Sequence, residues 1–453
     1  MSVALTAPPP SAGAPSALVA GLPRTATDGL VVPTCFGFRS YANLDHAAST
    51  PALDSVLQAV TAAMASYASV HRGTGYASET STRWYDEARA EIGRFVGARP
   101  DDHVVLTRNT TDSWSLLAHA LPADTTVIVF ASEHHSTLLP WGSQRTVTLP
   151  VPRSIPAGLA QLAQALELVD SAHCLVVVAG ASNVTGETWP LGEIVHLARR
   201  HGARVALDAA QLAPHRRVDI AARDIDYVAL SGHKLYAPYG VGVLAGRADW
   251  LDAAPPYLAG GGATADVTRG SVSWVSGPDR HEAGTPNVVG AIGLAAACAT
   301  LSEHWDDIAL LEHTLAHRLR SGLSAIPGVH LHSMFGPGSD RVAVVAFTID
   351  GLDAALAAAA LSAEYGIGVR DGRFCAHQLV NTLLGAPRTG DTPGTPVSAV
   401  RASLGLATRL EHVERLVAAV RTLADRGPAL DYDLTAEGWR PLDWSPVERA
   451  RPW

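Results

Sequence analysis

Lysine is almost missing from these 453 residues. Lys and Arg together number 34, and only Lys234, in SGHKLYAPYG (231–240), is lysine. Arginine replaces lysine freely where a solvated charge is all that is needed, so the shortage excludes little on the surface. It matters for chemistry: a guanidinium stays protonated, whereas a lysine amine can be tuned to lose its proton and form a Schiff base. Cysteine is scarce too. Cys35, Cys174, Cys298 and Cys375 are widely spaced with no CxxC pair, which argues against a disulfide framework and fits a reducing, cytoplasmic setting. No stretch reaches the roughly 20 consecutive apolar residues of a membrane span. No basic run appears, net charge is -9 and the pI is near 6.1, so neither nucleic acid nor an anionic membrane is the expected partner. The N-terminal MSVALTAPPPSAGAPSALVAGLP lacks the basic start and apolar core of a secretory signal. It reads as a disordered Ala/Pro leader, with residues 1–38 outside the folded body.

What is present is an alternation of helical and strand patterns, the mark of an α/β protein. DSWSLLAHAL (112–121) and LGEIVHLARRHG (191–202) read as helices. TTVIVFAS (125–132), CLVVVAGAS (174–182), ARVALDAAQ (203–211) and DYVALSGHK (226–234) begin as apolar, β-rich runs. Such runs suit parallel strands buried on both faces, with chemistry at their C-terminal ends. Past residue 290 the pattern shifts to an Ala-rich helix, VVGAIGLAAACATLSEHW, then to HTLAHRLRSGLSAI, shorter strands such as RVAVVAFTI, and a last helix near 410–425. The expected division is a large domain over 39–295, a smaller α+β domain over 296–427 and a tail over 428–453. GAPRTGDTPGTP (385–396) reads as an exposed loop.

Polar residues gather at the strand ends. Asp208 and Gln211 leave one run, Ser231, His233 and Lys234 another, Asn183 a third, and Glu133 with His134 a fourth; Thr110 and Thr111 open a helix. A carboxylate 26 residues before the lone lysine, each at the end of its own strand, is the notable spacing. The set matches what pyridoxal phosphate (PLP) needs: a lysine for the Schiff base, a carboxylate for the pyridine nitrogen, and a hydroxyl-rich helix N-terminus for the phosphate.

Ten stretches then carry a resemblance: LDHAAST (44–50), VHRGTGYAS (70–78), TRNTTD (107–112), EHHSTLLPW (133–141), SNVTGE (182–187), LDAAQLAPHRRVDI (207–220), SGHKLYAPYGVGVL (231–244), HEAGTPN (281–287), GVRDGRFCAHQLV (368–380) and VRASLGL (400–406). From about residue 40 to 425 the chain resembles the class V aminotransferase family of fold-type I PLP enzymes, on the branch of cysteine desulfurases and selenocysteine lyases. The resemblance implies a large, mostly parallel seven-stranded sheet with helices on both faces, followed by the smaller domain. It implies that Lys234 carries PLP, Asp208 binds the pyridine nitrogen and His134 stacks on the ring. Asn183 and Gln211 would lie near the ring hydroxyl. Thr110, Thr111, Ser231 and His233 would hold the phosphate, joined by Thr285 from the other subunit of a homodimer with shared active sites. Arg401 would clamp the substrate carboxylate, a bidentate task, with Arg370, His46 and Ala48 on the substrate side. No metal is implied.

Cys375 stands where the desulfurase branch has its nucleophile, and Arg370, Arg373 and His377 nearby would favour a thiolate. The expected reaction is therefore L-cysteine to L-alanine with a persulfide on Cys375, passed on to a sulfur-acceptor protein. The alternatives are a C–S lyase acting on a cysteine conjugate or sulfoxide, an aminotransferase or epimerase, and, more remotely, a non-catalytic PLP-binding protein. Three departures mark a specialised relative. Gly75 and Tyr76 replace the usual second histidine after HRG, Ala407-Thr408-Arg409 replace the usual Tyr-Asn-Thr, and His46 takes a position usually held by a smaller or amide side chain, near the presumed substrate entry.

Overall fold

The computed structural model describes residues 21–71, 73–142, 144–385, 397–445 and 450–452. Its centre is a seven-stranded sheet built from β1 (Asp102–Thr107), β2 (Thr125–Phe130), β3 (Arg145–Leu149), β4 (His173–Ala179), β5 (Arg204–Asp208), β6 (Tyr227–Ser231) and β7 (Gly242–Arg247), in the order β1-β7-β6-β5-β4-β2-β3. The run from β6 to β3 is parallel, and β7 alone is antiparallel to both of its neighbours.

The apolar runs are continuous because both sheet faces are covered. Val127 and Val129 of β2 and Leu175 and Val177 of β4 face a layer holding Trp114, Trp141 and Trp250. Ile128 and Phe130, with Val176 and Val178, face the opposite layer, with Ile92, Leu162 and Ile194. Parallel order also brings the C-terminal ends of β2, β4, β5 and β6 to one edge, which is where the polar residues emerge.

The smaller domain is a four-stranded antiparallel sheet, in the order Val329–Leu331, Val344–Ile349, Ala399–Ser403 and Arg370–Gly372. Helices Trp305–Ser324, Ala354–Tyr365 and Leu410–Arg426 accompany it. The expected boundary at 295/296 falls inside one continuous helix, Val288–Glu303. That helix packs on Asp54–Met64 and Tyr76–Val96 of the large domain, and its alanines show no break that would mark a domain edge.

The expected leader is corrected for its second part. Thr25 bridges to Leu53, and Val31–Thr34 and Gly37–Ser40 form a hairpin. The hairpin is tied down by the Cys35 N–H, which donates to Ala363 O, and by Arg415, which donates to Ser40 O. Residues 1–20 lie outside the described residues, as does 386–396 of the expected loop. The tail likewise contains a hairpin, Tyr432–Thr435 with Gly438–Pro441, held by Tyr432 Oη donating to the buried Glu364. No single helix among the described residues is long and apolar enough to cross a membrane.

Candidate active site around Lys234

β6 ends at Ser231 and the chain tightens into a short turn, Gly232–Lys234. Lys234 is half-buried, and its amine is pulled from the usual 10.5 to about 8. Desolvation is the main cause; Asp208 opposes it, and the Arg401 and Arg370 charges reinforce it.

Asp208 is the last residue of β5 and is buried. Thr137 Oγ1 donates to its Oδ2 at 2.5 Å and the Ala210 N–H to its Oδ1 at 2.9 Å. Glu133, fully enclosed just beyond β2, accepts from the Ala179 N–H at 3.0 Å. Burial, and then the Asp208 charge, push its carboxyl well above the usual range. His134 caps the short helix His135–Leu138, its Nδ1 accepting from the Ser136 N–H at 3.1 Å. Burial and the nearby Lys234 bring its pKa down to about 4, so the ring is neutral at pH 7. Glu133, His134, Asn183, Asp208, Gln211 and Lys234 line one cavity.

The helix Thr110–Ala120 begins beside this cavity, capped by Asn109, whose side chain accepts from the Asp112 N–H at 3.0 Å. The Thr110 N–H donates to Ser231 Oγ at 2.8 Å and the two hydroxyls lie 2.7 Å apart, joining the helix start to the end of β6. Thr111, next in the first turn, is exposed. A Cβ at Gly242 would stand 2.5 Å from Asn109 Cα, so only glycine lets β7 pass this close under the helix entry. His233 sits with its Nδ1 3.4 Å from Ser49 Oγ.

On the small-domain side, Arg401 reaches back from the strand Ala399–Ser403. Its Nη1 donates to Asn183 O at 3.0 Å, its Nη2 to Asp45 Oδ1 at 3.0 Å, and its guanidinium lies 5.0 Å over the Phe374 ring. Cys375 is exposed on the adjoining loop. Phe374 and Cys375 both take left-handed backbone, with φ of 51° and 53°, a conformation that costs non-glycine residues of order 1–3 kcal/mol each and concentrates at functional sites. The loop is pinned in place: Asn183 Nδ2 donates to Phe374 O and the His135 N–H to Cys375 O, both at 2.7 Å. Cys375 thus follows directly on the ring that Arg401 covers, and its carbonyl is hydrogen-bonded to the residue after His134.

One expected site residue lies differently from its expectation, and two others are placed as follows. His46 is 2% exposed, not at an entry; its ring sits behind the cavity between Tyr236 and Gly405, neither nitrogen has a hydrogen-bond partner, and burial lowers its pKa to about 3. Thr285 lines a separate cavity with His71, Gly262 and Glu282. Ala48 closes the turn begun at Asp45, donating its N–H to Asp45 O, while Gln211 Nε2 donates to Ala47 O at 2.7 Å. Two residues were missed in the sequence: Thr137, which fixes Asp208, and Asp45, which fixes Arg401. The second was visible as the acid in LDHAAST; the first had no local signal.

A partly neutral lysine amine, a buried carboxylate held by two donors, a neutral histidine and a hydroxyl-rich helix start form one donor set. That set fits a phosphorylated pyridine aldehyde: a carbonyl for the amine, a ring nitrogen for the acid, and a phosphate for the helix. A sequence model described as Aminotransferase class-V matches residues 42–416. The chain belongs to this family. A cysteine desulfurase of Salmonella newport is 34% identical over 389 residues, covering 83% of this chain and 92% of that protein. Among solved structures, the cysteine desulfurase CsdA of Escherichia coli, in an S-sulfonic acid form, has a TM-score of 0.72 at 30% identity over 85% of this chain and 94% of that one. The apo cysteine desulfurase of Thermococcus onnurineus NA1 has a TM-score of 0.76 at 29% identity, over 89% and 98%. This class-V family is PLP-dependent, and the chain is an enzyme of it, of the cysteine desulfurase type.

Proposed function

We propose that this enzyme holds PLP on Lys234 and converts L-cysteine to L-alanine, leaving the sulfur on Cys375 as a persulfide. The observation that carries the reading is the placement of Cys375. An exposed thiol is held on a strained loop that is pinned to Asn183 and His135 and lies next to the Phe374 ring under Arg401.

In this reading Asp208 holds the pyridine nitrogen and is itself fixed by Thr137. His134 lies against the ring in its neutral form. Asn183 and Gln211 stand near the ring hydroxyl, and Thr110, Thr111, Ser231 and His233 bind the phosphate. When bound, the cofactor supplies an electron sink that makes an amino acid's α-proton and its Cβ–S bond labile. Arg401 orients the substrate by its α-carboxylate, with Arg370 at the mouth and the backbone around Ala48 beneath. The substrate's amine takes the place of Lys234, and the freed lysine amine, its pKa brought near 8, takes the α-proton as a general base. The Cys375 thiolate bonds to the substrate sulfur as the Cβ–S bond breaks, and protons complete the methyl group of alanine. Cysteine and thiol enter, alanine and persulfide leave, and no outside oxidant is needed. A thiol acceptor, small or protein, then takes the sulfur in a reducing, cytoplasmic setting. Thr285, which lines its own cavity apart from Lys234, serves the phosphate site of a second copy in a homodimer.

The test is alanine formation from L-cysteine, with reductant, by wild type and Cys375→Ala. Alanine from the first and not the second is expected. Pyruvate from both proteins would move the enzyme to the C–S lyases.

A further inference from the structure

The substrate clamp already contains a carboxylate. Arg370 and Arg401 are direct cross-strand partners in the small-domain sheet, an arrangement in which like charges repel. Asp45 sits on both: its Oδ1 accepts from Arg401 Nη2 at 3.0 Å, and its Oδ2 lies 3.6 Å from Arg370 Nη1. Three contacts fix it there. Ala42–Asn43 pairs with Ile367–Gly368, Asp45 bridges to Ser403, and the Asp45 N–H donates to Asn43 Oδ1. The Arg401 side chain is 4% exposed and its buried Nε has no partner, while Asp45 is 24% and Arg370 54% exposed. The clamp thus offers two guanidinium charges against one resident carboxylate, and keeps a spare donor on the buried arginine.

We propose that Asp45 is a specificity-determining residue: by occupying half of the clamp's charge it limits the site to one further carboxylate, and so selects amino acids with uncharged side chains over dicarboxylic ones. This rests on the assignment of Arg401 as the α-carboxylate clamp. One substrate carboxylate brings the group of four charges to neutrality. A second carboxylate would have to share Arg370 and Arg401 with Asp45, whose like charge opposes it. Asp45→Asn frees one positive charge, and a dicarboxylic amino acid gains a partner that a monocarboxylic one cannot use.

The experiment is calorimetric binding of L-alanine and of L-aspartate to the PLP-loaded enzyme, as wild type, Asp45→Asn and Asp45→Glu. The expected result is that the aspartate-to-alanine Kd ratio falls by about tenfold or more in Asp45→Asn, the size of one added ion pair, and stays near wild type in Asp45→Glu. An unchanged ratio in Asp45→Asn overturns the proposal. Should that variant not fold, because Arg370 and Arg401 then repel without a counterion, Arg370→Gln and the double variant Asp45→Asn/Arg370→Gln carry the test. Arg370→Gln alone should weaken alanine, and the double variant, back at one net charge, should recover it; no recovery overturns the proposal. Because binding is read without turnover, the result is independent of whether cysteine is desulfurated.

Discussion

Lys234 is the only lysine, so its titration can be followed without assignment. Grown with ε-13C-lysine and freed of cofactor, the protein gives one lysine ε-carbon resonance whose shift against pH reports the amine directly. Burial and the Arg401 and Arg370 charges outweigh Asp208 and place the midpoint near 8 rather than 10.5. At pH 8 about half the amine is then neutral, against roughly 0.3% for an unperturbed lysine, a gain of ~150-fold in the reactive form. The signs of two variants follow from the same charges. Asp208→Asn removes the group that favours the ammonium form and moves the midpoint below 8. Arg401→Gln removes a repelling charge and moves it above 8. A wild-type midpoint at 10 or higher, or variants that shift in the opposite directions, would refute the reasoning.

Other expectations concern acid stability and the wall of the site. His46 is held near a pKa of about 3 in the fold against an ordinary 6.5, so the unfolded chain binds an extra proton between those values. Stability should therefore fall as pH drops from about 6.5 towards 3, and His46→Asn should lose less over that window in urea melts; an identical acid slope would contradict this. Glu187, fully buried, accepts from Ser333 Oγ at 2.6 Å, from the Met334 N–H at 2.5 Å and from the Phe335 N–H at 2.8 Å, and pairs with Arg341. Glu187→Ala should cost roughly 3–5 kcal/mol, since it strands a buried charge and several donors; a loss under 1 kcal/mol in equilibrium denaturation would show the network to be dispensable. Thr137→Val removes the hydroxyl that orients Asp208 and should weaken PLP about fivefold, about one hydrogen bond's worth, read as a fluorescence-detected Kd with the fold intact by circular dichroism.

The strands bearing the site were legible because each is a mostly apolar run of five to seven residues with a polar group at or shortly beyond its end, and parallel order gathers those ends. The lone lysine singled out its own strand. Antiparallel β7 was hidden in GVGVLAGR, whose glycines interrupt the apolar, β-rich run that its neighbours DHVVLT and YVALS show. The two hairpins were missed because their side chains are largely exposed; main-chain pairing and contacts to the helix Ala354–Tyr365, distant in sequence, hold them. His46 was misjudged for a related reason. A histidine in a polar-looking motif reads as accessible, and only the fold shows Tyr236 and Gly405 closing over it. Asp45 was visible as the acid of LDHAAST, but its role was not, since its two arginine partners lie more than 300 residues away.

The most direct test of the account is intact-mass and peptide mass spectrometry of the PLP-loaded enzyme after exposure to L-cysteine without reductant. The account predicts one added sulfur atom, mapped to the Cys375 peptide, removed by dithiothreitol and matched by alanine in equal amount. Alanine with no sulfur on Cys375, or sulfur on Cys35 instead, would contradict it.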